Sequence, residues 1–162
     1  MFTNDEIHEY SNLLKKLNVK KPVIPNGYDE IFHGGGKDGI QKFRFLSNRS
    51  KSLYVIWVEG TKWNFNDTGI NLKTTPVRFY NGVAHKGYYN AARATIDLIQ
   101  DYLKNETHQN ILCLGHSLGG AISSIICTIL NKGNWGPLQN IDEIRNKYQP
   151  GSIKALAFAS PP

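Results

Sequence analysis

Ile7, Tyr10, Leu14 and Leu17 recur at spacings of three and four residues near the start of the chain. That spacing places them on one face of an α-helix. Thr3-Asn4-Asp5-Glu6 ahead of them fits a capping box, so a helix is predicted over residues 3–18. Asn26-Gly27 and Gly34-Gly35-Gly36 then punctuate the chain. Beyond them "IQKFRFLS" alternates apolar and polar, whereas "LYVIWVEG" is continuously apolar, with "NRSK" between the two. The pattern predicts a β-hairpin whose second strand is the more deeply buried. Residues 61–80 are polar and irregular apart from a short strand pattern at Val77–Tyr80. From Lys86 to Leu103 the period is helical, with Tyr88, Ala92, Ile96, Ile99 and Leu103 on one stripe. "NILCLG" reads as a short buried strand, Gly119–Leu130 as a buried helix, and "IKALAFAS" as another buried strand. Residues 131–152 read as loop, with one helical turn at "IDEIRNKY". Strands alternating with helices predict parallel pairing and an α/β fold.

Composition narrows this little. The 162 residues suffice for one domain with a real core, and 40% hydrophobic with 20% charged residues is ordinary for a globular protein. No apolar run approaches the roughly 20 residues that span a bilayer. The N-terminal segment has no secretory h-region, which reads as an intracellular chain, cytoplasmic or membrane-peripheral. The net charge is +6, but the cations are dispersed. Lys15, Lys16, Lys20 and Lys21 are the one local cluster, and no aromatic residue is interleaved with them. That pattern reads as a solvated helix end, with a lipid surface as the alternative and nucleic acid not expected. Cys113 and Cys127 lie in apolar segments without metal-ligand spacing and read as buried, reduced and structural. No metal or cofactor is expected.

The chemistry concentrates at Gly115-His116-Ser117-Leu118-Gly119, a G-x-S-x-G set between a predicted strand and a predicted helix. In that context the serine occupies a sharp, strained turn that lifts its hydroxyl above the sheet edge. Flanking glycines relieve the crowding. The N–H of Leu118 and the helix N-terminus behind it face a developing oxyanion. A second oxyanion donor is needed, and two places compete. Thr61, following Gly60 at the end of the apolar strand, offers an N–H and a hydroxyl. His33-Gly34-Gly35-Gly36 spells the H-G-G-G of another esterase class, but "PNGYDEIF" before it is too polar for the buried strand that motif requires. Thr61 is preferred.

Taken together, "VEGT" at 58–61, "AHKGYYNAA" at 84–92, "GHSLGG" at 115–120 and "AFASPP" at 157–162 resemble the class 3 (fungal-type) lipases in order and spacing over residues 40–162. The Ser-Pro-Pro run looks like the diacylglycerol-lipase branch. The resemblance implies an α/β-hydrolase-type, mostly parallel sheet with flanking helices and a serine esterase acting on acylglycerols or related lipid esters. It maps the nucleophile to Ser117, the oxyanion residue to Thr61 and a structural histidine to His85. It places a lid between Thr61 and His85, where Trp63 and Phe65 stand. The sequence departs from the family at Glu59, where relatives carry Arg, and residues 1–39 show no match; they read as an N-terminal helix and Gly-rich loop ahead of a catalytic part over 40–162.

The triad order in this fold is serine, acid, histidine. After Ser117 the acids are Asp142 and Glu143, and all five histidines (His8, His33, His85, His108 and His116) precede the serine. "IKALAFAS" is apolar on both faces, like an interior strand, so the expectation is the N-terminal part of a lipase domain, incomplete at its C-terminus and completed by a further segment. Two readings stand beside the enzyme: a catalytically incomplete lipase-like module that binds lipid or a partner protein, and an H-G-G-G esterase.

Overall fold

In the computed structural model, the described residues are 1–36, 41–60, 75–105, 108–133 and 141–158. Among them the chain forms four helices and seven strands. The first helix, α1 (Asn4–Leu17), starts at a full capping box: Thr3 caps from its hydroxyl, and the Glu6 carboxylate accepts the Thr3 N–H at 2.7 Å. That backbone donor holds the Glu6 carboxyl below its ordinary range. Tyr10, Leu13, Leu14 and Leu17 form the buried face, while Ile7, predicted to share it, is exposed. The α-helical stripe is rotated so that Leu13 takes its place.

A five-stranded sheet runs in the order β1 (Asp29–Gly34), β2 (Phe43–Asn48), β3 (Leu53–Val58), β6 (Asn110–His116), β7 (Ile153–Phe158). β2 and β3 form the predicted hairpin, with Leu46 opposite Val55. β3, β6 and β7 are parallel, with Val58 opposite Gly115 and His116 opposite Phe158. The sheet is mixed, parallel through its centre and antiparallel toward β1. β1 is a strand the pattern did not announce: the segment judged too polar for a buried strand is half-exposed and adds to the antiparallel edge, where a polar sequence is no obstacle. A separate hairpin pairs β4 (Pro76–Phe79) with β5 (Gly82–His85); only its first strand was foreseen.

Strict alternation along β3 and β6 builds two cores. Tyr54, Ile56, Val58, Ile111 and Cys113 face α2 (Lys86–Asn105), α3 (Leu118–Lys132) and α4 (Ile141–Lys147). Leu53, Val55, Trp57, Leu112 and Leu114 face α1. The result is a helix–sheet–helix sandwich. α4 is a short helix rather than a single turn; Ile141 and Ile144 give it a buried face. Ser52 closes the β2–β3 turn at φ 48°, and its carbonyl accepts the N–H groups of Gln109 and Asn110 at 3.1 and 3.0 Å. One residue thus fixes both the hairpin and the entry to β6. Cys113 is buried, and burial pushes its thiol pKa up; Cys127 on α3 is only half-buried, and both are free thiols. No described helix is long and apolar enough to cross a membrane.

Candidate active site

Ser117 stands between the last residue of β6 and the first of α3, with φ 53° and ψ −129°. L-residues rarely adopt that conformation, which costs on the order of 1–3 kcal/mol. The surroundings impose it. A Cβ at Gly115 would lie 2.3 Å from the carbonyl carbon and oxygen of Gly119, and one at Gly119 would lie 2.2 Å from the Val58 carbonyl oxygen. Both glycines of the motif are therefore needed for close approach: one lets α3 fold back on β6, the other lets α3 rest on the end of β3. Two polar ties complete the turn. The Ser117 N–H donates to the Phe158 carbonyl at 2.8 Å, and the buried Ser123 hydroxyl donates to the Leu114 carbonyl at 3.0 Å. Sequence reasoning missed Ser123, whose only signal is a hydroxyl on an otherwise apolar helix face.

The N–H groups of Leu118 and Gly119 open α3. As the first of a helix they have no carbonyl four residues back within it. Bonding to the turn begins at Gly120 and Ala121, whose N–H groups reach the Ser117 carbonyl at 2.9 and 3.2 Å. α3 has no acidic residue in its own first turn to offset the positive end of the helix. Among the described residues no acceptor is seen for the Leu118 and Gly119 N–H groups, so an anion beside the Ser117 hydroxyl would meet donors there.

The two rival oxyanion segments lie in different places. Beyond β3, the Glu59 N–H donates to the Lys42 carbonyl at 2.9 Å, and the buried Gln41 side chain donates to the Glu59 carbonyl at 2.7 Å. Gly60 then comes so near the elbow that a Cβ there would sit 2.6 Å from the His116 carbonyl oxygen. Gly34 and Gly35 instead pack against Phe43 and Gln41, at the β1–β2 side, with β2 and β3 between them and β6. Thr61 itself lies outside the described residues, as do Trp63, Phe65 and the Ser160-Pro161-Pro162 run.

Three of the described histidines have other employment. His85 Nδ1 accepts the Gly87 N–H at 3.1 Å, capping α2, and its ring packs on Tyr88 at 4.3 Å. His108 bonds Ser47 at 2.7 Å and stacks on Tyr54, at the opposite edge of the sheet from Ser117. His33 pairs with Glu30 at 3.0 Å, and His8 is exposed on α1. His116 is half-buried on the elbow. Asp142 and Glu143 form ion pairs with Arg145 at 3.5 Å and Lys104 at 3.0 Å on α4. Among the described residues none of the hydrogen bonds involves the Ser117 hydroxyl, and no cluster of side chains has the makings of a metal site.

A family model described as Lipase (class 3) matches residues 54–162. Comparison with curated protein sequences finds no significant match. Among solved structures, the Rhizomucor miehei triacylglyceride lipase aligns with a TM-score of 0.68 at 13% identity, over 96% of this chain and 62% of that one. Lipase II from Rhizopus niveus aligns at 0.69 and 14% identity, over 99% of this chain and 64% of that one. A triacylglycerol lipase whose catalytic centre is a serine protease triad aligns at 0.53 and 20% identity, over 78% and 55%. The likeness of fold thus extends over residues 1–39, where no sequence match is visible. The chain spans 53% to 62% of the length of the first solved structures it resembles.

Proposed function

The chain belongs to the class 3 lipase family, and from that premise we propose that it is a serine ester hydrolase for acylglycerols or related lipid esters, with Ser117 as its nucleophile. The observation that carries the reading is the backbone of Ser117: a strained, positive-φ serine at a strand-to-helix turn, beside the first N–H groups of a helix. A fold has little reason to hold a serine so unless its hydroxyl must stand clear of the sheet edge.

In the proposed reaction Ser117 Oγ attacks the acyl carbonyl. The carbonyl oxygen gains the charge and is held by the Leu118 N–H and by Thr61, as the approach of Gly60 to the elbow supports. A histidine, oriented by an aspartate, takes the serine proton and returns it to the leaving alcohol; water then releases the acid by the reverse path. The reading assigns both groups to polypeptide other than residues 1–162; in its support, Asp142 and Glu143 are ion-paired on α4 and His85 caps α2. The triad of one structural relative, a triacylglycerol lipase, supports the same division of roles.

The test is labelling with a fluorophosphonate probe, with and without a polypeptide supplying the acid and histidine. Strong labelling that needs that polypeptide and vanishes in Ser117→Ala is the expected result. The alternative, a lipase-like module that binds lipid or a partner without turnover, requires that Ser117 stay unlabelled in both cases.

A further inference from the structure

The charges of α1 are segregated along its length, with Asp5 and Glu6 in the first turn and Lys15 and Lys16 in the last. The acidic end lies at the edge of the sheet where the parallel strands begin. There Glu6 faces Lys154 at 3.9 Å and Glu9 pairs with Lys51. The basic end lies at the opposite edge. Val19, Lys20 and Pro22 line a groove of about 330 Å³ together with Gly34, Lys42 and Glu59. That is the edge of Ser117, because Glu59 follows β3 and the next residue, Gly60, abuts His116.

Lys15, Lys16, Lys20 and Lys21 are all exposed, and among the described residues none of them has an acidic partner. Two valines bracket the second pair: Val19 is 45% exposed and Val23 is 69% exposed. Cations that outnumber local acids seek an anionic surface. Apolar side chains set among them seek an acyl boundary. A nucleic acid would take the lysines and leave the valines in water, and it would expect aromatic or arginine side chains that this segment lacks.

We infer that residues 15–23 form a docking surface for an anionic lipid bilayer. The ammonium groups meet headgroup phosphates and carboxylates, Val19 and Val23 enter the boundary below them, and the contact turns the Ser117 edge toward the lipid. The inference rests on the reading of Ser117 as a lipid-ester nucleophile, since it names the surface that supplies the substrate.

Co-sedimentation tests it, using the chain with Ser117→Ala so that hydrolysis cannot alter the vesicles. Phosphatidylcholine vesicles containing about one third phosphatidylserine should bind, pure phosphatidylcholine vesicles should bind far less, and added salt should weaken the interaction. Lys20→Glu/Lys21→Glu should lower affinity by about thirtyfold or more, and Val19→Ser/Val23→Ser should lower it at unchanged salt dependence. Arg49→Glu/Lys51→Glu makes the same charge change at the opposite edge and should have a much smaller effect. Equal losses from the two charge reversals, equal binding to both vesicles, or displacement of the vesicles by duplex DNA overturns the docking surface. Absence of this binding pattern alongside Ser117-dependent hydrolysis of a soluble ester overturns the surface alone. The pattern alongside a Ser117 that never labels supports the surface and overturns the catalytic reading.

Discussion

The backbone N–H of Ser117 donates to the carbonyl oxygen of Phe158, 2.8 Å away. The turn that carries Ser117 is therefore not held by its own strand and helix alone. The neighbouring parallel strand, whose Phe158 stands opposite His116, supplies the acceptor that keeps the turn open.

Strain at this turn is measurable. Ser117→Ala removes the hydroxyl and keeps the backbone penalty, whereas Ser117→Gly removes both. Neither variant should react with an active-serine probe. The glycine variant should be the more stable of the two by about 1 kcal/mol after its larger unfolded-state entropy is counted, a difference of roughly 2–4 °C in Tm. Equal melting temperatures would mean that the positive φ of Ser117 is not strained.

Gly115→Ala and Gly119→Ala place a Cβ against backbone rather than against a movable side chain. Each should cost roughly 1–3 kcal/mol or more, read as a lower urea midpoint at constant slope. Gly151→Ala is the contrast. A Cβ there meets nothing within 4 Å, so only the positive φ of 84° opposes it and the loss should be smaller.

Thr61→Val should lower turnover by about 10²–10³ with little change in substrate binding, the signature of a lost oxyanion donor. Gly35→Ala must be compared per labelled Ser117, because at φ +83° its Cβ would lie 2.1 Å from the Gln41 carbonyl and some protein will misfold. On that basis Gly35→Ala should retain most of its turnover. An equal loss in both would move the oxyanion site to the β1–β2 segment.

Alkaline pH should unfold the chain through half-buried phenols. Burial pushes the Tyr28 and Tyr80 hydroxyls up to about 12 from an ordinary value of 10.0. A folded pKa above the unfolded one means that the neutral form is favoured by folding, so this stability is complete below pH 10 and lost between pH 10 and 12. Tyr80→Phe also removes the 2.7 Å hydrogen bond to the Gly133 carbonyl. It should lower stability at neutral pH and flatten the alkaline decline, as followed by denaturation midpoints across that range.

The strand-to-helix turn at Ser117 was more legible in the sequence than the sheet around it. G-x-S-x-G announces itself because few residues satisfy a backbone that crowded, and the clashes at Gly115 and Gly119 give the reason. Long periodic segments such as α2 and α3 were equally plain. β1 was not, because an edge strand needs no alternation: Asp29 and His33 are exposed, and its pairing with β2 is what makes it a strand. β5 escaped for the same reason, being four residues long and exposed at Gly82 and Val83. Ile7 was assigned to the core from spacing alone, yet the sheet meets α1 one residue around, at Leu13. Such a choice between adjacent helix faces is made by the partner surface.

The order in which the molecule assembles follows from Ser52, whose carbonyl receives the N–H groups of Gln109 and Asn110. Ser52 ends a tight turn, so β2 and β3 can pair over a short, quickly closed loop. Asn110 is 58 residues away in sequence, and its side chain also reaches the Ser52 carbonyl. That contact and the parallel β3–β6 register must wait for a long loop to close. The turn at Ser117 lies at the far end of β6 and leans on β7, so it is completed only after both strands have docked. Pulsed hydrogen exchange during refolding should protect the amides of Leu46 and Val55, which face each other across the hairpin, before that of Ser117. Nascent chains would then lack the strained turn at Ser117 until nearly the whole sheet is in place.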